Sequence, residues 1–121
     1  MASSLAPVVL AFKADAALAK GKVVKGGTDE QHVAVCSAAT DKALGIVQNS
    51  AAAAEDFLEV AVGGGGKALA GGVIAVGDLL AADSDGALVA TTTGNDKVIA
   101  KALAAAVAND LFDVLIIHGN Y

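Results

Sequence analysis

Ala17-Leu18-Ala19-Lys20-Gly21-Lys22-Val23-Val24 returns 56 positions later as Val73-Ile74-Ala75-Val76-Gly77-Asp78-Leu79-Leu80, with Gly21 falling on Gly77. Asp41-Lys42 then falls on Asp96-Lys97, and Asp56-Phe57-Leu58-Glu59-Val60-Ala61-Val62 on Asp110-Leu111-Phe112-Asp113-Val114-Leu115-Ile116, the offset having shrunk to 54. A drift of two is what loop insertions produce. One strand-rich unit is therefore written twice, at about residues 17–62 and 73–117, and the run Gly63-Gly64-Gly65-Gly66 opens a connector spanning 63–72. Neither copy can bury its apolar face alone, so the duplication predicts two units packed against each other.

Within each copy, short β-branched runs alternate with turn chemistry. The runs are Val23-Val24, Val33-Ala34-Val35, Gly45-Ile46-Val47, Leu58 to Val62, Val73 to Val76, Leu88-Val89-Ala90, Val98-Ile99 and Val114 to Ile117. Between them stand Lys25-Gly26-Gly27-Thr28-Asp29, Asp83-Ser84-Asp85-Gly86 and Gly94-Asn95-Asp96, rich in residues that tolerate positive φ or cap their own backbone. A spacing of about ten residues predicts an all-β sandwich or barrel. Alanine argues the other way, since Ala51–Ala54 and much of 100–108 carry the highest helix propensity. A helix over 98–117 would run uncapped through Asn109-Asp110 into Val114-Leu115-Ile116-Ile117, a buried-strand pattern. The alanines are thus read as tightly packed strands and turns, with a single helical turn at most around Ala51–Ala54.

Residues 1–16 lie outside the repeat and hold the only proline, Pro7. Residues 1–15 are read as an extended N-terminal arm and 16–121 as a single β-domain. The arm has two readings, a frayed terminus or an extended segment that orders on a partner, which Val8, Val9, Leu10 and Phe12 favour.

Composition narrows the function. The 121 residues suffice for one core; 55% are apolar but only 3% aromatic, so the core is built from Val, Ile, Leu and Ala. Small side chains bury little area each, which points to oligomerisation. The formal charge is −5, from 13 acidic and 8 basic residues, and the lysines are scattered. Nucleic acid would be repelled, and few aromatics are present to stack on bases. The charge-free stretches Met1–Phe12 and Ala43–Ala54 are too short for the roughly 18 residues of a membrane span, and no basic residue precedes the apolar run Pro7-Val8-Val9-Leu10 as in a signal peptide. Cys36 is the only cysteine, which excludes an intramolecular disulfide and fits assembly in a cytoplasm.

The motifs that could carry chemistry each read better as structure. Gly63–Lys67 fails as a phosphate loop because Ala61 and Ala68 stand where glycine and Ser or Thr are required, so a flexible connector between repeats is the better reading. Asp83-Ser84-Asp85-Gly86 lacks the closing glutamate of a calcium loop, its place being taken by Thr92, and reads as a β-turn. His32, in the polar loop Thr28-Asp29-Glu30-Gln31, and His118, after the last strand, have no companion at ligand spacing. Cys36 has no basic neighbour to activate it, and Glu55-Asp56 with Glu59 read as surface charge. No cofactor or metal is expected.

Taken together, Gly45-Ile46-Val47, Leu58-Glu59-Val60-Ala61-Val62-Gly63-Gly64, Val73 to Leu80, Asp83-Ser84-Asp85-Gly86-Ala87-Leu88-Val89, Val98 to Leu103 and Asp110 to Ile116 resemble the phage capsid cement, or head decoration, family. The resemblance spans about residues 16–117; it departs at Ala100, where the family usually has glycine. It implies a compact β-sandwich or β-tulip-like barrel without catalysis, a homotrimer seated on the outer surface of the virion capsid and clamping neighbouring major capsid proteins. It also implies that the arm reaches onto the lattice through Leu5, Pro7, Val8, Val9, Leu10 and Phe12 by adding a strand to a sheet edge. Many weak contacts made together would suffice by avidity. Two alternatives stand beside it: a trimeric fibre, spike or tail component, and a small enzyme or ligand-binding β-barrel that gathers Cys36, His32 and the carboxylates near Glu55.

Overall fold

The computed structural model describes residues 7–121. They form nine strands: β1 (Pro7–Ala14), β2 (Val23–Gly26), β3 (His32–Val35), β4 (Ala43–Val47), β5 (Phe57–Leu69), β6 (Leu79–Ala82), β7 (Leu88–Ala90), β8 (Lys97–Ala102) and β9 (Leu111–Asn120). Among the described residues there is no helix, so the alanine-rich stretches are strand and turn as expected. The strand order is β1-β3-β2-β4-β5-β9-β8-β6-β7, and β1 also pairs with β5. That extra pairing closes the first five strands into a barrel.

The duplication reaches further than the sequence shows. β1 runs antiparallel to the first half of β5, from Pro7↔Gly64 to Lys13↔Phe57, and the second half of β5 runs antiparallel to β9, from Gly64↔Ile116 to Leu69↔Leu111. β1 meets β3 in parallel at Ala14↔Val33; Ala70 meets Leu88 in parallel, and both positions match in the repeat. Leu18↔Ala51 and Ile74↔Ala106 are likewise the same antiparallel bridge made twice. Hence the second half of β5 is the second unit's version of β1, and one long strand serves both units.

Three sequence expectations are corrected by this arrangement. The described part of the expected arm, residues 7–14, is not an extension outside the β-domain but strand β1, paired with β3 and β5. Gly63–Gly66 is not a flexible connector but the middle of β5, because β1 pairs with it at Gly63 and Gly64 and β9 pairs with it at Gly64 to Gly66. Chain neighbours on both edges supply the order that the glycines lack by themselves. Val73 to Val76 is not a strand but a loop held by the Ile74 bridge, by Ala75 N–H donating to Asp78 Oδ2 at 2.9 Å, and by the turn at Gly77; the strand starts at Leu79.

The core is duplicated as well. Ala14, Val24, Val33, Val47, Ala51, Leu58 and Val60, with Phe12, Leu18 and Val62 packed against them, fill the first unit. Their repeat equivalents Ala70, Leu80, Leu88, Ala102, Ala106, Phe112, Val114, Ala68, Ile74 and Ile116 fill the second. The rest of that larger cluster, Val23, Cys36, Ile46, Ala61, Ala82, Ile99 and Ala100, is the seam between units. Each fully buried Val, Leu or Ile contributes about 1.5–3 kcal/mol. Hydrogen bonds from Val23 N–H to the Gly86 carbonyl and from Lys97 N–H to the Ala39 carbonyl, both 2.8 Å, stitch the seam.

Candidate functional site

The strand that closes the first barrel also carries a run of exposed apolar side chains. Val8 is 58% exposed, and Val9 and Leu10 are exposed beside it, in a stretch from Pro7 to Ala11 that has no charge. Alternation along β1 turns Phe12 and Ala14 into the barrel, where Phe12 lies opposite Leu58. The ladder shifts register between Val8 and Val9, skipping Val62 on β5; bulges of this kind re-aim side chains near a strand end. Of the arm residues singled out from sequence, Pro7, Val8, Val9 and Leu10 share this exposed strand and Phe12 is half-buried beneath it; Leu5 lies outside the described residues.

Phe57, which sequence reasoning passed over, belongs to the same surface. It pairs with Lys13, is 69% exposed, and has the Lys13 ammonium 5.8 Å from its ring centre. Its signal was legible: Leu58 and Val60 point inward, so period-two alternation turns Phe57 outward. A cavity of about 400 Å³ opens here, lined by Ala11, Phe12, Lys13, Glu30, Gln31 and Phe57.

Below this surface an ion cluster fastens the barrel's closure. His32 Nδ1 lies 2.7 Å from Asp29 Oδ1 and Nε2 lies 2.8 Å from Glu55 Oε2, with the imidazole only 11% exposed. Two carboxylates facing both ring nitrogens favour the doubly protonated ring, so the His32 pKa is raised by Asp29 first and Glu55 second, and that of Asp29 is lowered by His32. The cluster joins the β2–β3 loop to the β4–β5 turn, the two segments flanking the C-terminal end of β1: Lys13 N–H donates to the Gln31 carbonyl at 2.7 Å and Glu55 N–H to the Ala14 carbonyl at 2.8 Å.

The residues that a catalytic reading would need do not converge. His32 and Glu55 meet, but Cys36 is fully buried at the seam, and burial with the nearby Asp41 charge pushes its thiol up to about 11, the reverse of an activated nucleophile. Asp41 is held low by the Ser37 N–H and by Lys25, 3.1 Å away. Asp83 closes its own turn, Oδ1 accepting from the Asp85 and Ala87 N–H groups, and His118 Nε2 lies 2.9 Å from the Val62 carbonyl. Among the described residues no group of three or more His, Cys, Asp or Glu side chains could hold a metal ion, and no helix is long and apolar enough to cross a membrane.

Comparison with known proteins agrees with this picture. A family model described as phage cement protein matches residues 5–117. The crystal structure of the head fiber gp8.5 N base in bacteriophage phi29 is similar to the chain, with a TM-score of 0.72 and 18% sequence identity, over 96% of this chain and 98% of that one. At that identity the likeness is one of fold. No curated protein matches.

Proposed function

Since the chain belongs to the phage cement protein family, and so is a capsid-associated structural protein, we propose that it binds the outer surface of an assembled phage capsid and stabilises contacts between neighbouring major capsid proteins. The observation that carries this reading is β1, where Val8, Val9 and Leu10 lie outermost in the uncharged stretch from Pro7 to Ala11 of a chain of net charge −5. Apolar side chains grouped on one strand mark a docking surface. A homotrimer would multiply such contacts by avidity.

Co-sedimentation with intact and empty shells tests it. Deleting residues 1–15 would remove the strand that closes the first barrel, so the informative variant is Val8→Ser/Val9→Ser/Leu10→Ser, which keeps the backbone of β1. Saturable binding by the wild type at a fixed copy ratio, reduced by the triple variant, is the expected result. Absence of binding to any shell would sink the reading.

The fold shared with the head fiber base favours a second reading, in which the chain forms the base of a projecting fibre. Electron microscopy of decorated shells separates the two: a cement layer lies flat between capsomers, whereas a fibre base carries density that projects outward.

A further inference from the structure

Among the described residues, one backbone position of β1 is unpaired where its repeat equivalent is not. In the second unit, Lys67 N–H donates to Gln48 Oε1 and the Lys67 carbonyl accepts from Gln48 Nε2, both at 3.1 Å, while Leu69 N–H donates to the Gly21 carbonyl at 2.9 Å. The first unit thus covers the outer edge of the second half of β5 with a side-chain amide and a backbone carbonyl. The matching residues of β1 are Ala11 and Lys13. Lys13 N–H is satisfied by Gln31, and it points away from β5. In an antiparallel ladder residues two apart direct their N–H and C=O groups the same way, so Ala11 presents both groups outward as well. Among the described residues nothing bonds to them, and Ala11 is exposed.

We infer that the outer edge of β1, centred on Ala11, is a docking edge for an extended segment of another polypeptide, whose peptide groups take the place that the Gln48 amide occupies on β5. The identity of the occupant follows from the internal example, since an amide that both donates and accepts already fits this geometry at Lys67. A second copy stacked head to tail does not supply it: the repeat equivalent of Gln48 is Leu103, fixed by the matching bonds from Gln48 N–H to the Glu59 carbonyl and from Leu103 N–H to the Asp113 carbonyl. Leucine has no amide to offer. Strand addition draws affinity from main-chain bonds and selectivity from side-chain pockets, and the cavity lined by Phe12, Phe57 and Lys13 lies beside Ala11 to receive an apolar side chain. Pro7, at the start of β1, ends the edge on one side, and Gln31 ends it on the other.

This rests on the capsid reading for its biological partner but not for its test. The full-length, isotope-labelled chain is titrated with a synthetic eight-residue peptide of alternating valine and threonine, blocked at both ends, and followed by amide chemical shifts and hydrogen exchange. Shifts centred on Val9 and Ala11, with new exchange protection at Ala11, are expected. Ala11→Pro removes a donor that has no partner among the described residues, so it leaves the β1–β5 ladder intact and weakens the peptide about ten-fold. No shift at β1, shifts centred instead on Val73, Val76 and Val107, or docking indifferent to Ala11→Pro would overturn the inference. Should Ala11→Pro misfold, the wild-type Ala11 amide decides alone: slow exchange without peptide means that the edge is already covered. Shell sedimentation is scored separately. Peptide docking without shell binding upholds the edge and sinks the capsid role, and shell binding without peptide docking does the reverse.

Discussion

The two units share a backbone plan and differ in how each is finished, and the difference shows where the molecule meets itself and where it ends. The β1–β5 ladder of the first unit recurs in the second as the β5–β9 ladder, but the parallel β1–β3 pairing of the first, Lys13↔His32 and Ala14↔Val33, shrinks in the second to the single Ala70–Leu88 bridge. The first unit's loops carry Lys20, Gln48, Asn49 and Ser50, and two of its groups, the Gln48 amide and the Gly21 carbonyl, cover the second half of β5. The equivalent loops of the second unit carry Val76, Leu103, Ala104 and Ala105, with Val73, Val76 and Val107 exposed. A position that is polar in the first unit, where it bonds the second, is apolar in the second, where nothing among the described residues packs against it.

The cores differ by an exchange across one cross-strand pair, which offers the strongest way to break the comparison. Phe12 faces Leu58 in the first unit, whereas Ala68 faces Phe112 in the second. Each pair holds one phenylalanine, on opposite strands. Phe112 is 3% exposed, so Phe112→Ala should cost about 3–5 kcal/mol in urea unfolding. Half-buried Phe12 should cost about 1–3 kcal/mol by the same change, since part of its surface is already wet. The double variant Phe12→Ala/Leu58→Phe gives the first unit the second unit's pair. It should be more stable than the sum of its single changes by about 0.5–3 kcal/mol, the range for side chains in contact. Strict additivity would mean that the two cores are not packed alike.

Next in size is the glycine pair that aligned the repeat. Gly21 and Gly77 have φ of +87° and +91°, so alanine at either is strained by about 1–2 kcal/mol. A Cβ at Gly77 would meet nothing, but one at Gly21 would lie 2.8 Å from Leu69 N and 2.9 Å from Leu111 Cδ2. Gly21→Ala should therefore cost about 1–3 kcal/mol more than Gly77→Ala, through overpacking at the seam. Equal costs would show that the seam yields. Smaller again is Gln48→Ala, expected to cost about 1–2 kcal/mol and to speed hydrogen exchange at Lys67, making that amide behave like the open one at Ala11.

Most strands were legible because their β-branched runs sit between turn residues, and all-β architecture followed from that rhythm. The misreadings came from judging each copy alone. Val73-Ile74-Ala75-Val76 looks like a strand by composition, yet it aligns with Ala17-Leu18-Ala19-Lys20, which does not, and both segments are the same loop in the structure. The kinship of β1 to Gly63–Ala70 was hidden because glycine tracts carry no side-chain pattern to align. Val8, Val9 and Leu10 were legible as an exposed apolar segment, and Phe57 could have been read from its alternation with Leu58 and Val60, while the open edge at Ala11 needed the register. Of the His32 cluster, the approach of Glu55 stood only in the ligand-binding alternative and the part of Asp29 was not read, because these carboxylates come together only once β3 and the β4–β5 turn are folded.

That cluster supplies the smallest effect and the finest comparison. Glu55 and Asn109 occupy the same turn position with φ of 73° and 74°. Asparagine tolerates this left-handed conformation, whereas glutamate is strained there by about 1 kcal/mol. Glu55 is kept in place by what Asn109 lacks, a bond to His32. A histidine whose folded pKa is raised above its ordinary 6.5 contributes stability that is fully present below 6.5 and is lost as pH rises through the folded value. Asp29, lowered by the same contact, contributes above its ordinary 3.8 and loses its contribution as pH falls through its own folded value. The cluster is thus complete between those limits, and neutral His32 can donate to only one carboxylate while turning a lone pair toward the other. Glu55→Asn should therefore lower Tm near pH 5.5, where the ion pair is intact, and leave it unchanged or raised near pH 9, where only the relief of strain remains. A Tm difference that did not move with pH would mean that the two turns are held by the same forces and that His32 adds nothing to the first.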